Sequence, residues 1–159
     1  MLVVDNLAEY KNICDGPIAV TLGKFDGFHI EHCKLVDRTV ELAKEDGLKS
    51  VVITFLDMPS SLAKTTKYLM TKEEKRIFLK DKGVDILIEC HFTDEIMHIS
   101  PEDFIRKALV DALKVKTLLS AIRVRATWKC LRNFQRDLIS VFRLSLHTAY
   151  MVMYSAPQP

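Results

Sequence analysis

Ala19-Val20-Thr21-Leu22-Gly23-Lys24-Phe25-Asp26-Gly27-Phe28-His29-Ile30-Glu31-His32 reads as a buried strand, a glycine-punctuated turn and the first turn of a helix. The β-branched and apolar residues from Ile18 to Leu22 bring the backbone to the end of a sheet. Gly23 and Gly27 then permit backbone conformations, and a closeness of ligand to backbone, that a Cβ forbids. The helix that follows points its free N–H groups and positive dipole end toward whatever docks there, which suits a phosphate. His29 and His32 stand three apart, so in a helical first turn they share one face and can donate to one anion. On spacing alone the same residues fit a tight turn with two surface histidines. A zinc site from His29, His32 and Cys33 finds no second ligand pair at metal-site spacing.

The rest of the 159-residue chain sets this turn in an α/β framework. Its length suits one domain with a real core. Leu35, Val36, Thr39, Val40 and Ala43 form a helical stripe closed by Gly47. Ser50 to Phe55 is a short apolar run expected of a strand covered on both faces. Thr71 and Glu74 make a capping box for a helix through Lys82, with Gly83 closing it. Glu73, Glu74, Lys75 and Arg76 read as a solvated face of that helix. Val84 to Ile88 is a third strand. Ser100, Pro101, Glu102 and Asp103 then open another helix, whose buried face is Phe104, Ile105, Ala108, Leu109, Ala112 and Leu113. Alternating strands and helices predict a mainly parallel, three-layer sheet with ligands at the carboxyl ends of its strands.

Charge and cysteine usage narrow the setting. A formal net charge of +2 gives no reason to expect a nucleic acid partner. Asp5 and Glu9 interrupt the N-terminus before any signal-peptide core forms. Cys14, Cys33, Cys90 and Cys130 form no Cys-x-x-Cys pair and read as reduced thiols of a cytoplasmic protein. Cys90, His91, Asp94 and His98 match no common metal spacing and read as loop residues.

The near-even charge conceals a seam. Residues 1–116 carry 17 Lys/Arg and 20 Asp/Glu, whereas 117–159 carry 6 and 1, and no glycine follows Gly83. In this basic tail Leu131, Phe134, Leu138, Phe142, Leu146, Ala149 and Met153 recur at near-helical spacing. A half-buried helix is the plain expectation, and a membrane-surface or partner-binding helix the alternative. Arg143 and His147 break any membrane span. Oligomeric state is not legible.

The opening motif resembles the Gly-x-Phe-Asp-Gly-x-His-x-Gly-His signature of the bacterial FAD synthetases, the FMN adenylyltransferase modules usually fused to riboflavin kinase. Further pieces occur in the family's order: Val51-Val52-Ile53-Thr54-Phe55 with Pro59, Leu69-Met70-Thr71-Lys72-Glu73-Glu74-Lys75, Gly83-Val84-Asp85, and Ile99-Ser100-Pro101-Glu102-Asp103-Phe104-Ile105. The resemblance covers roughly residues 1–116. It implies a Rossmann-like nucleotidyltransferase fold and transfer of AMP from ATP to FMN, giving FAD and pyrophosphate with Mg²⁺. By resemblance His29 and His32 steady the phosphates and are the catalytic pair. Gly23, Lys24, Phe25, Asp26 and Gly27 form the turn beneath ATP, and Asp26 can reach Mg²⁺ through water. Thr54, Phe55 and Pro59 lie on the flavin side.

The chain departs from the pattern in three places. Glu31 stands where the family has a glycine between the histidines, and Leu56-Asp57-Met58 replaces the commoner acid-proline-histidine segment. Beyond the helix ending near Leu113 the family continues with a strand and a Val-Gly-x-Asp-Phe-x-Phe-Gly segment, later with a Ser/Thr-rich stretch ending in arginine. Neither is read in 117–159, so the sheet is expected to be incomplete after residue 116, lacking its next strand. Shifting the back-translated reading frame of 121–129 by one base permits Arg-Phe-Gly-Phe-Gly-Gln-His-Gly, and shifting Thr117 to Ile122 by two bases permits Ile-Ile-Val-Gly-Asp, so a reading-frame change near Lys116 is expected to have produced the tail. Two alternatives accompany the synthetase reading: a catalytically inactive nucleotide- or flavin-binding remnant, and a related nucleotidyltransferase with another phosphorylated acceptor.

Overall fold

The aliphatic runs become the inner strands of one six-stranded sheet in the computed structural model, which describes residues 1–7, 9–10, 16–56, 68–91, 98–100, 103–120 and 151–154. The strands are β1 (Leu2–Val4), β2 (Ile18–Gly23), β3 (Lys49–Leu56), β4 (Ile86–His91), β5 (Val115–Ser120) and β6 (Met151–Tyr154). Their order is β1-β4-β3-β2-β5-β6, parallel throughout except for the antiparallel β5–β6 pair. Helix α1 (Ile30–Glu45) links β2 to β3, and α2 (Lys72–Asp81) links β3 to β4. A third helix, Phe104–Ala112, precedes β5.

Strand alternation divides the core into two layers. Val20, Val51, Ile53, Ile86 and Ile88 pack with Leu109 and Leu113 at the third helix. Val52, Leu87 and Leu119 point the other way, onto Leu35, Val36 and Val40 of α1 and Leu79 of α2. The expected three-layer α/β architecture is therefore present. The chain lays β2, β3 and β4 side by side, then returns to place β5 on the other flank of β2. That reversal makes a topological switch point beside β2, where open α/β sheets bind ligands beyond the strands' carboxyl ends.

Three expectations are corrected. The sheet does not lack its next strand: Val115–Ser120 straddles the seam and pairs in parallel with β2, with Leu118 opposite Val20. Thr117, Leu118 and Leu119 are buried, so this strand is as interior as its neighbours. Met153, expected in a helical stripe, lies opposite Leu118 in β6, where the β5 edge supplies backbone partners. The remainder of that stripe, 131–149, lies outside the described residues. The third helix forms where the apolar pattern puts it, with Ser100 Oγ accepting the N–H of Asp103 at 3.1 Å, but it is wound as a π-helix. An N–H of Leu113 to the carbonyl of Ala108 at 3.2 Å shows the wider ring. Apolar spacing signals a helix; it does not fix this pitch.

Candidate functional site

The register across the sheet places Gly23 beside Thr54, and Thr54 beside Glu89, so one line of residues crosses the carboxyl ends of β2, β3 and β4. From this line the turn 23–27 rises. Phe25 takes a left-handed φ of 44° and is fully buried. Such a conformation costs a bulky residue about 1–2 kcal/mol, which burial of a phenyl ring worth about 1.5–3 kcal/mol offsets. The ring packs on Phe28 at 5.8 Å and edge-on to His32 at 5.2 Å. A Cβ on Gly23 would lie 3.2 Å from the same ring, so glycine there lets the ring lie against the strand end. Gly27 has φ +68°, and a Cβ on it would meet Leu69 at 3.0 Å.

The segment 68–70 clasps this turn. Asp26 Oδ1 accepts the N–H of Leu69 at 2.8 Å, and Oδ2 faces Lys24 Nζ at 3.5 Å. Lys24 Nζ also lies 5.3 Å from the centre of the Tyr68 ring. Beyond the clasp is a cavity of about 310 Å³ bounded by Leu56, Tyr68, Leu69, Met70 and Thr71, with Lys72, Glu74 and Lys75 at its polar side.

The two histidines meet as their spacing required. Their rings stack with centroids 3.7 Å apart and 28° between planes. His29 occupies the cap position of α1 but makes no side-chain bond to the helix, so the first helical N–H groups remain open to a ligand. His32 is half-buried and its Nδ1 has no hydrogen-bond partner. Burial pushes the pKa of His32 down and the neighbouring His29 adds to this, while the Gly27 carbonyl and Glu31 act the other way. Glu31 itself is exposed, so its carboxylate has solvent available.

Thr54 and Phe55 do not share a face. Thr54 is buried toward α2, its hydroxyl donating to the Lys24 carbonyl at 2.9 Å. Phe55 is half-buried toward the third helix, 6.3 Å from Phe104. Pro59 lies outside the described residues, as does Asp94. Cys90 is buried in β4, and burial pushes its thiol up to about 11.

The solvated face read on α2 holds for the exposed Glu73 and Glu74 and is corrected for Lys75 and Arg76. Lys75 is 6% exposed, and its ammonium donates to the Lys24 carbonyl and to Thr54 Oγ1, each at 3.2 Å. Arg76 grips Glu89, itself 2% exposed, through Nε at 3.1 Å and Nη2 at 2.6 Å. The signal available was the capping box: once Thr71 fixes the helix start, Lys75 and Leu79 fall one turn apart on the same side, and both are buried.

A glycine turn and a helix N-terminus at the switch point of a doubly wound sheet define an α/β protein of the Rossmann-like class, with the makings of a phosphate site. Residues 11–121 match the family model described as FAD synthetase, and the chain belongs to that family. It is 33% identical over 105 residues to a bifunctional riboflavin kinase/FMN adenylyltransferase of Listeria monocytogenes, covering 64% of this chain and 33% of that one. A second Listeria monocytogenes protein, an FAD synthetase, is 31% identical over 96 residues, covering 58% of this chain and 39% of its own length. The chain thus spans about a third of the bifunctional relative. The crystal structure of a macrolide-efflux protein from Streptococcus pneumoniae matches 72% of this chain and 39% of its own with a TM-score of 0.60. At 24% identity that likeness bears on the fold alone. No helix among the described residues is long and apolar enough to cross a membrane.

Proposed function

We propose that this chain binds ATP at the turn 23–27 and transfers its AMP to the phosphate of FMN, releasing pyrophosphate, as a cytoplasmic enzyme of flavin cofactor synthesis. The observation that carries the reading is the stacked His29–His32 pair over an open helix N-terminus, at the switch point of a chain that belongs to the FAD synthetase family. Two imidazoles held 3.7 Å apart repel when both are protonated, and a polyphosphate between or above them removes that penalty. In-line phosphoryl chemistry asks the protein chiefly to position and to neutralise charge. His29, His32 and the α1 N–H groups supply donors; Gly23 and Gly27 allow close backbone approach. Lys24, Phe25 and Asp26 shape the turn.

Mg²⁺ neutralises charge on the leaving pyrophosphate when bound. The donor set fits it as a companion of the triphosphate rather than as an ion in a protein cage. Asp26 already serves Leu69 and Lys24, and among the described residues no three His, Cys, Asp or Glu side chains gather. The acceptor belongs on the β3 side of the turn, at the Thr54–Phe55 end of that strand; Pro59, the third residue the resemblance puts on the flavin side, lies outside the described residues. The division at residue 116 belongs to the proposal with one change, since β5 carries the folded unit to Ser120. A frame shift beyond Ser120 is tested by the gene's DNA sequence, which must encode the missing glycine-rich segment in a shifted frame.

The direct test is FAD formation from FMN, ATP and Mg²⁺ by the purified chain, beside a His29→Ala, His32→Ala double variant. Product from the wild type and none from the variant is the expected result. Folded wild type that binds ATP yet makes no FAD assigns the chain to the inactive-remnant reading.

A further inference from the structure

Lys75 is a cation in an unusual place. It is 6% exposed, and among the described residues it makes no ion pair. The two carboxylates that act on its charge are committed elsewhere: Glu89 to Arg76, and Asp26 to Leu69 and Lys24. Burial pushes its pKa down, with Asp26 and Glu89 pulling upward and Lys24 and Lys72 downward. An unpaired buried ammonium is costly, and an apolar side chain of similar length would fill the space at less cost. Its two hydrogen bonds join elements far apart in sequence: the Lys24 carbonyl in the turn and the Thr54 hydroxyl at the end of β3. Thr54 closes the triangle by donating to the same carbonyl at 2.9 Å.

We propose that Lys75 is a positioning residue, which ties the Lys24 carbonyl to Thr54 and so fixes where the turn 23–27 presents His29 and His32 to a bound polyphosphate. The inference rests on the nucleotide reading of the site. A carbonyl in a turn with left-handed residues on either side of Asp26 has few local restraints, and the described contacts of Lys24 O are these two side chains. Helix α2 delivers the ammonium because the Thr71–Glu74 capping box sets the start of the helix one turn before Lys75. The sheet delivers the hydroxyl because Thr54 stands in register with Gly23. Tether, turn and histidines therefore form one connected unit, running from Lys75 through Lys24, Phe25 and the Phe25–His32 ring contact.

The test compares the wild-type chain with Lys75→Met, Thr54→Val and Thr54→Ser by imidazole ¹H–¹⁵N spectra without ligand and by titration with ATP. Lys75→Met and Thr54→Val are expected to move the His29 and His32 resonances. Thr54→Val, which loses one charge-assisted hydrogen bond, should weaken ATP binding about tenfold, and Lys75→Met, which loses both, at least as much. Thr54→Ser retains the hydroxyl and should keep wild-type spectra and affinity. Thr54→Val keeps the ammonium, so a displacement it shares with Lys75→Met comes from the tether and not from charge; it also serves if Lys75→Met fails to fold. Unmoved imidazoles in Thr54→Val overturn the proposal whatever ATP does. Displaced imidazoles in a chain that binds no ATP overturn the nucleotide reading and leave the tether standing.

Discussion

His29 and His32 hold their rings 3.7 Å apart and nearly parallel, with one nitrogen of His32 buried and unbonded. This geometry is unfavourable for two imidazolium ions and favourable for one anion held by both. Under the proposed function, the site should therefore respond to proton concentration and to a bound phosphate.

In the unliganded chain His32 should titrate below the ordinary histidine value of 6.5, because burial and then His29 oppose its charge. Since the folded pKa is the lower one, stability is fully present above about 6.5 and declines as pH falls beneath it. His29→Ala should raise the His32 pKa, and saturating ATP should raise it further. NMR titration of the His32 ring checks both. A His32 pKa unchanged by ATP would mean that no phosphate reaches the pair.

Gly27→Ala should lower stability by about 1–2 kcal/mol, the cost of a left-handed φ for an L-residue. A steric part adds to this: Leu69 Cδ1 at 3.0 Å can swing away, but Leu69 Cβ at 3.1 Å moves only with the backbone that Asp26 holds. Urea unfolding of Gly27→Ala with and without Leu69→Gly, which removes that Cβ, separates the two. A loss abolished by Leu69→Gly would show the contact, not the dihedral, to be limiting.

Arg76→Ala should cost about 2–4 kcal/mol, because it strands the Glu89 carboxylate in the interior while the partly exposed arginine leaves room for water. Arg76→Met with Glu89→Leu should recover most of the loss. Chemical denaturation of the single and double variants measures the coupling. Equal losses in single and double variants would show that packing, rather than the stranded charge, decides the cost.

How far the sequence revealed this site depends on the range of each interaction. The strand Ile18–Gly23, the capping box at Thr71 and the facing histidines are local: one period, one hydrogen-bonded motif and one helical turn fix them. The fate of Lys75 and Arg76 depends on Thr54 and Glu89, which stand 21 and 13 residues away and meet them only through strand register. Charged residues at the start of a helix look solvated when read alone. Strand β5 went unseen for another reason. Val115–Ser120 crosses the shift in composition after Lys116, and composition averages over a window longer than a six-residue strand. The π-winding of Phe104–Ala112 still buries Leu109, with Leu113 just beyond it, and so has no sequence signature of its own.

The capping box offers the last test, because it links helix stability to the site. Thr71 Oγ1 accepts the Glu74 N–H at 3.2 Å, and Glu74 Oε2 accepts from the Thr71 N–H at 2.8 Å and its hydroxyl at 2.9 Å. These bonds hold the Glu74 carboxyl below its usual range, the backbone bond first and the hydroxyl second. Thr71→Ala removes the acceptor for Glu74 and should lower Tm by roughly 2–4 °C near neutral pH. A depressed carboxyl pKa contributes stability above its unfolded value and loses it as pH falls through the folded one. The gap between Thr71→Ala and wild type should therefore narrow in acid, below the ordinary 4.5 of a glutamate. Thr71→Ser should behave as wild type at every pH. Hydrogen exchange at the amides of 73–75 should quicken in Thr71→Ala, because fraying there releases the turn that carries Lys75. A Tm gap that stays constant down to pH 3 would assign the whole effect to the threonine hydroxyl and none to the carboxylate.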